Sequence, residues 1–250
     1  MIILRRIYSI WGMIAFGLPF LLFLPFFHLF AKKEKWHIYV SILNRWWANI
    51  FWFLVIMPYK IEYKNKKKIK NPAVYCANHT SFLDILTMGS IVKGDYMFIG
   101  KEELADIPLF GSMFKKLHIT VNRESKISAY RTLLKSKEAI DKNQSIVMFP
   151  EGGIISNNPP ELTPFKEGAF RLAIEKQVPI VPVTIFYNWV ILPDDEKYLL
   201  NWHRGRAIVH EPVSTLGMTN QDVEMLKEKI FQIIRQPLEK DIEKLSKIKA

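Results

Sequence analysis

One segment constrains this chain more than any other. From residue 7 to residue 31, 25 positions in a row, there is no Asp, Glu, Lys or Arg. As a straight helix, at about 1.5 Å per residue, such a run reaches roughly 37 Å, against about 30 Å for the hydrocarbon core of a bilayer. It must therefore be covered by lipid or by protein. Pro19 and Pro25 lie inside it. Each removes a helix hydrogen bond, so a kink is expected. Arg5 and Arg6 give the run a basic start, as in a secretory signal. The apolar part is too long for one, and no small-x-small cleavage site follows. A second segment, 36–59, holds Trp36, Trp46, Trp47 and Trp52, four of the seven tryptophans, with Arg45 in its middle. Tryptophan favours the headgroup level, so this segment reads as an interfacial helix. Basic clusters precede, separate and follow the two segments. A hairpin dipping into one leaflet keeps all three clusters on one side, whereas a simple span strands one of them. Residues 1–58 are therefore expected to form a membrane-associated two-helix segment, and 59–250 a second, catalytic domain.

The composition agrees with a membrane element: 49% of residues are apolar and 13% aromatic, both high for a soluble protein. The net charge of +11 fits nucleic acid, anionic lipid or an acidic carrier protein as partner. Lys64, Lys66, Lys67, Lys68 and Lys70 directly follow the aromatic segment. That position points to anionic lipid, with a solvated linker as the alternative. No zinc-finger spacing or RNA-binding signature is present, so nucleic acid is not expected as a partner. The single cysteine, Cys76, excludes an intrachain disulfide and a cysteine metal cluster. It sits in the apolar run Ala73-Val74-Tyr75-Cys76-Ala77 and reads as a buried strand residue rather than a nucleophile.

Beyond residue 61 short apolar runs alternate with helical periodicity. Strands are expected over 73–77, 96–99, 117–121, 145–149, 179–186 and 206–210, and helices over 82–92, 126–141, 165–175 and 220–248. This alternation predicts an α/β domain around a largely parallel central sheet flanked by helices.

Two strand ends carry chemistry. The first is Asn78-His79-Thr80-Ser81-Phe82-Leu83-Asp84, between a strand and a helix. Ser81 suits the helix N-cap, and Asp84 takes the acid position of a capping box. On one helix, residues five apart lie about 140° apart and cannot meet. With the helix beginning between them, His79 can fold back over the first turn. Asp84 then accepts from one imidazole nitrogen and leaves the other as a base, with the substrate supplying the nucleophile. A structural histidine and an ordinary cap are the alternatives for each residue taken alone. A third metal ligand at recognisable spacing is missing, so no metal is expected. The second strand end is Phe149-Pro150-Glu151-Gly152-Gly153. Its glycines permit positive φ or close approach of a ligand, and a turn is the plain alternative.

Together these segments resemble the 1-acylglycerol-3-phosphate acyltransferase family: Asn78-His79-x4-Asp84, then Phe149-Pro150-Glu151-Gly152 about 70 residues on. Lys101-Glu102-Glu103-Leu104, Pro108, Phe110-Gly111 and Val121-Asn122-Arg123 resemble a second block of that family. Val178-Pro179-Ile180-Val181-Pro182-Val183 resembles a fourth, and Phe165-Lys166-Glu167-Gly168-Ala169 the helix after the third. The likeness covers residues 60 to 212.

The resemblance implies a glycerolipid acyltransferase-type domain behind a membrane-embedded helical hairpin. It implies transfer of a fatty acyl group from an acyl thioester, on acyl-carrier protein or acyl-CoA, to the free hydroxyl of a lysolipid such as 1-acylglycerol-3-phosphate. The thioester is a co-substrate and no cofactor is expected. His79 would be the general base, Asp84 its orienting carboxylate, and Lys101 a stabiliser of the oxyanion. Asn78, Arg123, Glu151, Gly152, Gly153 and Lys166 would bind the acceptor. The membrane is the expected location, at the cytoplasmic face of a bacterial inner membrane. One position departs from the family. Where its third block carries an arginine suited to phosphate, this chain has Ile154. Either Arg123 and Lys166 compensate, or the acceptor is another lysolipid, such as a lyso-amino-acid lipid. A non-catalytic lipid-binding protein and a thioester hydrolase are the readings from other classes.

Overall fold

The computed structural model describes residues 2–65, 69, 71–195 and 197–249, with side chains as far as 243. Lys66, Lys67, Lys68 and Lys70, and with them most of the expected lipid-contacting cluster, lie outside the described residues.

The chain opens with α1 (Ile2–Phe30) and α2 (His37–Leu54), an antiparallel pair. α1 continues through Pro19 and Pro25, and its buried positions Ser9, Gly12, Ala15, Pro19 and Phe27 form one stripe. Their spacing of three to four residues keeps them on one face. Small side chains on that face permit close approach: a Cβ on Gly12 would stand 2.7 Å from Leu200 Cδ2. The opposite face is bare hydrocarbon, with Leu4, Ile7, Trp11, Ile14, Leu18 and Leu22 all exposed. α1 is one helix long and apolar enough to cross a membrane.

The rest is an α/β fold in which a seven-stranded sheet runs in the order β1-β7-β6-β2-β5-β3-β4. The strands are β1 (Tyr59–Tyr63), β2 (Val74–Ala77), β3 (Tyr96–Lys101), β4 (Ile119–Val121), β5 (Ser145–Met148), β6 (Ile180–Phe186) and β7 (Gly205–Val209). Every pairing is parallel except β6 with β7. The helices α3 (Leu83–Ile91), α4 (Phe110–Leu117), α5 (Lys126–Asp141), α6 (Gly168–Lys176), α7 (Asn188–Ile191) and α8 (Val223–Lys249) connect and cover it. Strand side chains alternate between faces. Val74 and Cys76 therefore join the cluster with Leu172, Leu226 and Ile230 of α6 and α8, while Ala73, Tyr75 and Ala77 join Met88 and Ile91 of α3. Covered on both faces, β2 and β6 are buried throughout, which is why they read as unbroken apolar runs.

Several expected boundaries change. Leu117, expected to begin a strand, ends α4, and β4 starts two residues later. The strand β1 escaped the sequence reading because it is half exposed and polar at Lys60 and Glu62. The helix expected from 165 begins at Gly168, and Phe165 packs in the core ahead of it.

The hairpin does not hang free of the sheet domain. Ala15, Trp47 and Phe51 share one apolar cluster with Leu83 and Leu86 of α3 and with Leu200. Arg45 donates to Val92 O at 2.8 Å and Leu200 N donates to Ser9 Oγ at 2.8 Å.

Candidate active site

In a parallel sheet the carboxyl ends of the strands share one edge, where loops can converge on a ligand. His79 follows β2, Lys101 ends β3, Arg123 follows β4, Glu151 follows β5 and Asn188 follows β6.

His79 and Asp84 meet as their spacing predicts. Helix α3 starts between them, and His79 Nδ1 lies 3.0 Å from Asp84 Oδ2. The side chains are 8% and 0% exposed. The same carboxylate oxygen accepts the backbone N–H of Thr80 at 2.6 Å and of Ser81 at 2.9 Å. Asp84 thus caps its own helix backwards, in the first turn, where the helix dipole favours an anion. Its other oxygen accepts Asn188 Nδ2 at 2.8 Å. The Ser81 hydroxyl, expected to cap, donates to Leu192 O at 2.8 Å and accepts only a long 3.3 Å bond from Leu83 N. With Nδ1 facing a carboxylate, the proton sits on Nδ1, and Nε2 is left with a free lone pair and no protein partner among the described residues. The ring stacks on Phe149, with centroids 4.0 Å apart and planes at 17°.

Glu151 holds the same histidine by its backbone. Its Oε1 accepts His79 N at 2.8 Å, while Oε2 accepts Thr163 N at 2.9 Å and Thr163 Oγ1 at 2.8 Å. The carboxylate is wholly buried. Desolvation raises its pKa, against the opposing pull of those N–H donors. Both oxygens are spent inside the protein. These contacts tie Glu151 to the backbone of His79 and to Thr163.

Asn78 is likewise internal. Its amide donates to Ile185 O at 3.0 Å and accepts from Ile185 N at 2.8 Å, so it ties β2 to β6 and faces no substrate. Lys101 stands two strands from β2, exposed, with its ammonium 2.9 Å from Glu103.

Arg123, Gly152, Gly153 and Lys166 do come together. A Cβ on Gly153 would sit 2.7 Å from Arg123 Nη1, and one on Gly152 2.7 Å from Lys166 Nζ. Gly152 also has φ of +86°, which side chains rarely adopt. The glycines therefore let two cations lie flush on the backbone. Both cations line a cavity of about 210 Å³ together with Phe149. Neither forms an ion pair among the described residues. Burial lowers the Arg123 pKa, with Glu103 nearby opposing.

Two further cavities lie in the fold. One, of about 500 Å³, runs between α1, α2, α3 and α4 and is lined almost wholly by apolar groups, among them Phe20, Trp47, Phe82, Leu86 and Met113. Another, of about 660 Å³, reaches Thr80, the residue after His79.

Sequence reasoning missed the support behind Asp84. Asn188 Nδ2 also approaches Thr87 Oγ1 at 3.0 Å, and Tyr59 donates to Asn188 Oδ1 at 3.2 Å. Burial pushes the Tyr59 hydroxyl pKa well upward, so it stays a donor. The available signal was a polar residue directly after the apolar run of β6, the same signal that singled out Glu151.

A family described as acyltransferase matches residues 60–186. The chain belongs to the acyltransferase family. Members similar to it include a 1-acyl-sn-glycerol-3-phosphate acyltransferase of Haemophilus influenzae, 32% identical over 74% of this chain and 75% of that protein. A chloroplastic 1-acyl-sn-glycerol-3-phosphate acyltransferase of Brassica napus is 33% identical over 76% of this chain and 54% of its own length. The chain thus spans about half the length of the plant relatives it matches. In structure, the acyltransferase fold is shared with the crystal structure of the 1-acyl-sn-glycerophosphate (LPA) acyltransferase PlsC from Thermotoga maritima. That likeness has a TM-score of 0.75 at 22% identity and covers 94% of this chain and 97% of the other.

Proposed function

We propose that this chain transfers a fatty acyl group from an acyl thioester to the free hydroxyl of 1-acylglycerol-3-phosphate at a membrane surface, giving phosphatidic acid. The observation that carries the proposal is the buried His79–Asp84 pair at 3.0 Å with a free Nε2, its ring stacked on Phe149, which lines the cavity of Arg123 and Lys166. Nε2 removes the proton from the acceptor hydroxyl as its oxygen attacks the thioester carbonyl. The tetrahedral adduct then expels the thiolate, which takes the proton back from the imidazolium. Asp84 stabilises that imidazolium and fixes its tautomer. Glu151 and Asn188 are positioning residues for the pair.

Arg123 and Lys166 supply the phosphate contact that Ile154 cannot, and guanidinium suits phosphate in two-point contact. The apolar cavity beside α3 takes acyl chain. The exposed hydrocarbon face of α1 anchors the enzyme at the cytoplasmic face of the membrane, and acyl-carrier protein or acyl-CoA delivers the donor. The names of the relatives support this acceptor.

The test uses the full chain in vesicles with labelled acyl thioester, with and without lysophosphatidate. Product should require lysophosphatidate, and His79→Ala should lower its formation by about 10²-fold or more. Acyl release that ignores the lysolipid would make the enzyme a hydrolase.

A further inference from the structure

The fold carries three cavities with different linings, and one of them reaches Thr80, the residue after His79. The first carries Arg123 and Lys166 and the second is almost wholly apolar. The third mixes polar groups, Thr80, Ser156, Asn157 and Asn201, with an apolar wall that includes Ile154 and Trp189, and among the described residues Asp194 is its one charged group. A phosphomonoester prefers the first by charge, and an alkyl chain the second by hydrophobicity. Neither accounts for the third.

We propose that this third cavity is the slot for the pantetheine arm of the acyl donor. The proposal rests on the acyl-transfer reading given above. The arm is neutral, carries two amides and a hydroxyl, and has a branched apolar midsection. It needs hydrogen-bonding groups of both kinds on a partly apolar wall, and it gains nothing from a cation. Thr80 is 3% exposed, and its Oγ1 is buried without a hydrogen-bond partner among the described residues. A buried hydroxyl left unpaired is costly, and a donor or acceptor on a ligand entering the slot removes that cost. Thr80 directly follows His79, so a thioester at the inner end of the slot lies beside the base. Trp189, on the slot wall, directly follows Asn188, whose amide holds Asp84 at 2.8 Å. The slot thus shares the loops after β2 and β6 with the His79–Asp84 pair, and the loop after β5, with Ser156, forms its remaining wall.

The chemistry is shared by acyl-CoA and acyl-carrier protein, so four donors with one acyl chain are compared. These are acyl-CoA, acyl-carrier protein, acyl-pantetheine, and acyl-N-acetylcysteamine, in which the arm is cut to a single amide. The full chain in vesicles is assayed with lysophosphatidate as wild type, as Ser156→Phe, which fills the slot, and as Thr80→Val, which removes the hydroxyl at nearly constant volume. Ser156→Phe should lower kcat/KM for the three long-armed donors about tenfold more than for the truncated one, the worth of one or two hydrogen bonds. Thr80→Val should do the same by about threefold. In both variants KM for lysophosphatidate should stay within about twofold of wild type, since the acceptor keeps its contacts. An equal loss with long and truncated donors overturns the slot. So does a rise in acceptor KM, which would assign the cavity to the lysolipid headgroup, or a loss confined to acyl-CoA, which would assign it to the nucleotide. A wild type that transfers from none of the donors overturns the acyl-transfer reading, and the slot with it.

Discussion

Two loops, one after β2 and one after β5, each bury a carboxylate, and both carboxylates serve the same histidine. Asp84 takes the imidazole, two backbone N–H groups and the Asn188 amide. Glu151 takes the backbone of the same residue and a threonine. The first touches the group that reacts, and the second touches only the chain that carries it. A carboxylate on the ring governs tautomer and charge. A carboxylate on the backbone governs where the ring stands. Similar burial therefore need not mean similar function, and substitutions should separate the two.

The largest effect is expected at Asp84. Asp84→Asn should lower kcat by about 10³-fold or more while the protein remains folded, because the imidazolium loses its counter-charge and its tautomer is no longer fixed. A steady-state assay checks this, and a loss of no more than about a hundredfold would put Asp84 on a par with Glu151. Glu151→Gln should cost about ten- to a hundredfold in kcat/KM, since one of its buried N–H donors then faces an NH₂ group. Its thermal midpoint should fall as well, and that pairing of lost stability with a milder rate loss is the mark of a backbone support.

Asn188→Ala removes one donor from Asp84 and one acceptor from Tyr59. A loss of about tenfold in kcat is expected, the effect of one hydrogen bond to a charged group. Asn188→Ala combined with Asp84→Asn should add little to Asp84→Asn alone, because Asn188 acts through Asp84.

The smallest effect concerns pH. Desolvation raises the Glu151 pKa in the fold above its ordinary value near 4.5. A raised carboxyl pKa means that the protonated form suits the fold better. Its contribution to stability is complete below pH 4.5 and declines as pH rises through the folded value. Stability of wild type minus that of Glu151→Gln should therefore fall with rising pH in that window, by no more than about 1.4 kcal/mol per unit. Chemical denaturation in detergent across that range checks the slope, and a rising difference would reverse the assignment of burial as the dominant cause.

The hairpin and the His79–Asp84 pair were both legible in the sequence, for one reason. Each depends on residues close along the chain. The uncharged run 7–31 needs no partner to be recognised as apolar, and a strand-to-helix boundary between residues five apart is a local event. The alternation of β2 and β6 between two covered faces left the same kind of local trace. The half-exposed strand β1 and the short helix α7 left none, since each is held by neighbours distant in sequence.

The contacts of Asn78, Lys101 and Glu151 were decided only by the tertiary structure. Glu151 reaches His79 across 72 residues and Asn188 reaches Asp84 across 104. Both contacts follow from strand order: β5 and β6 flank β2, so the loops after them close on His79 from either side. Lys101 ends β3, which β5 separates from β2, and its ammonium pairs with Glu103. Spacing along the chain fixes which residues meet within one loop. Which loops meet is fixed by the order in which strands pack, and that order is chosen by burial of whole faces against α3, α6 and α8 rather than by any single residue.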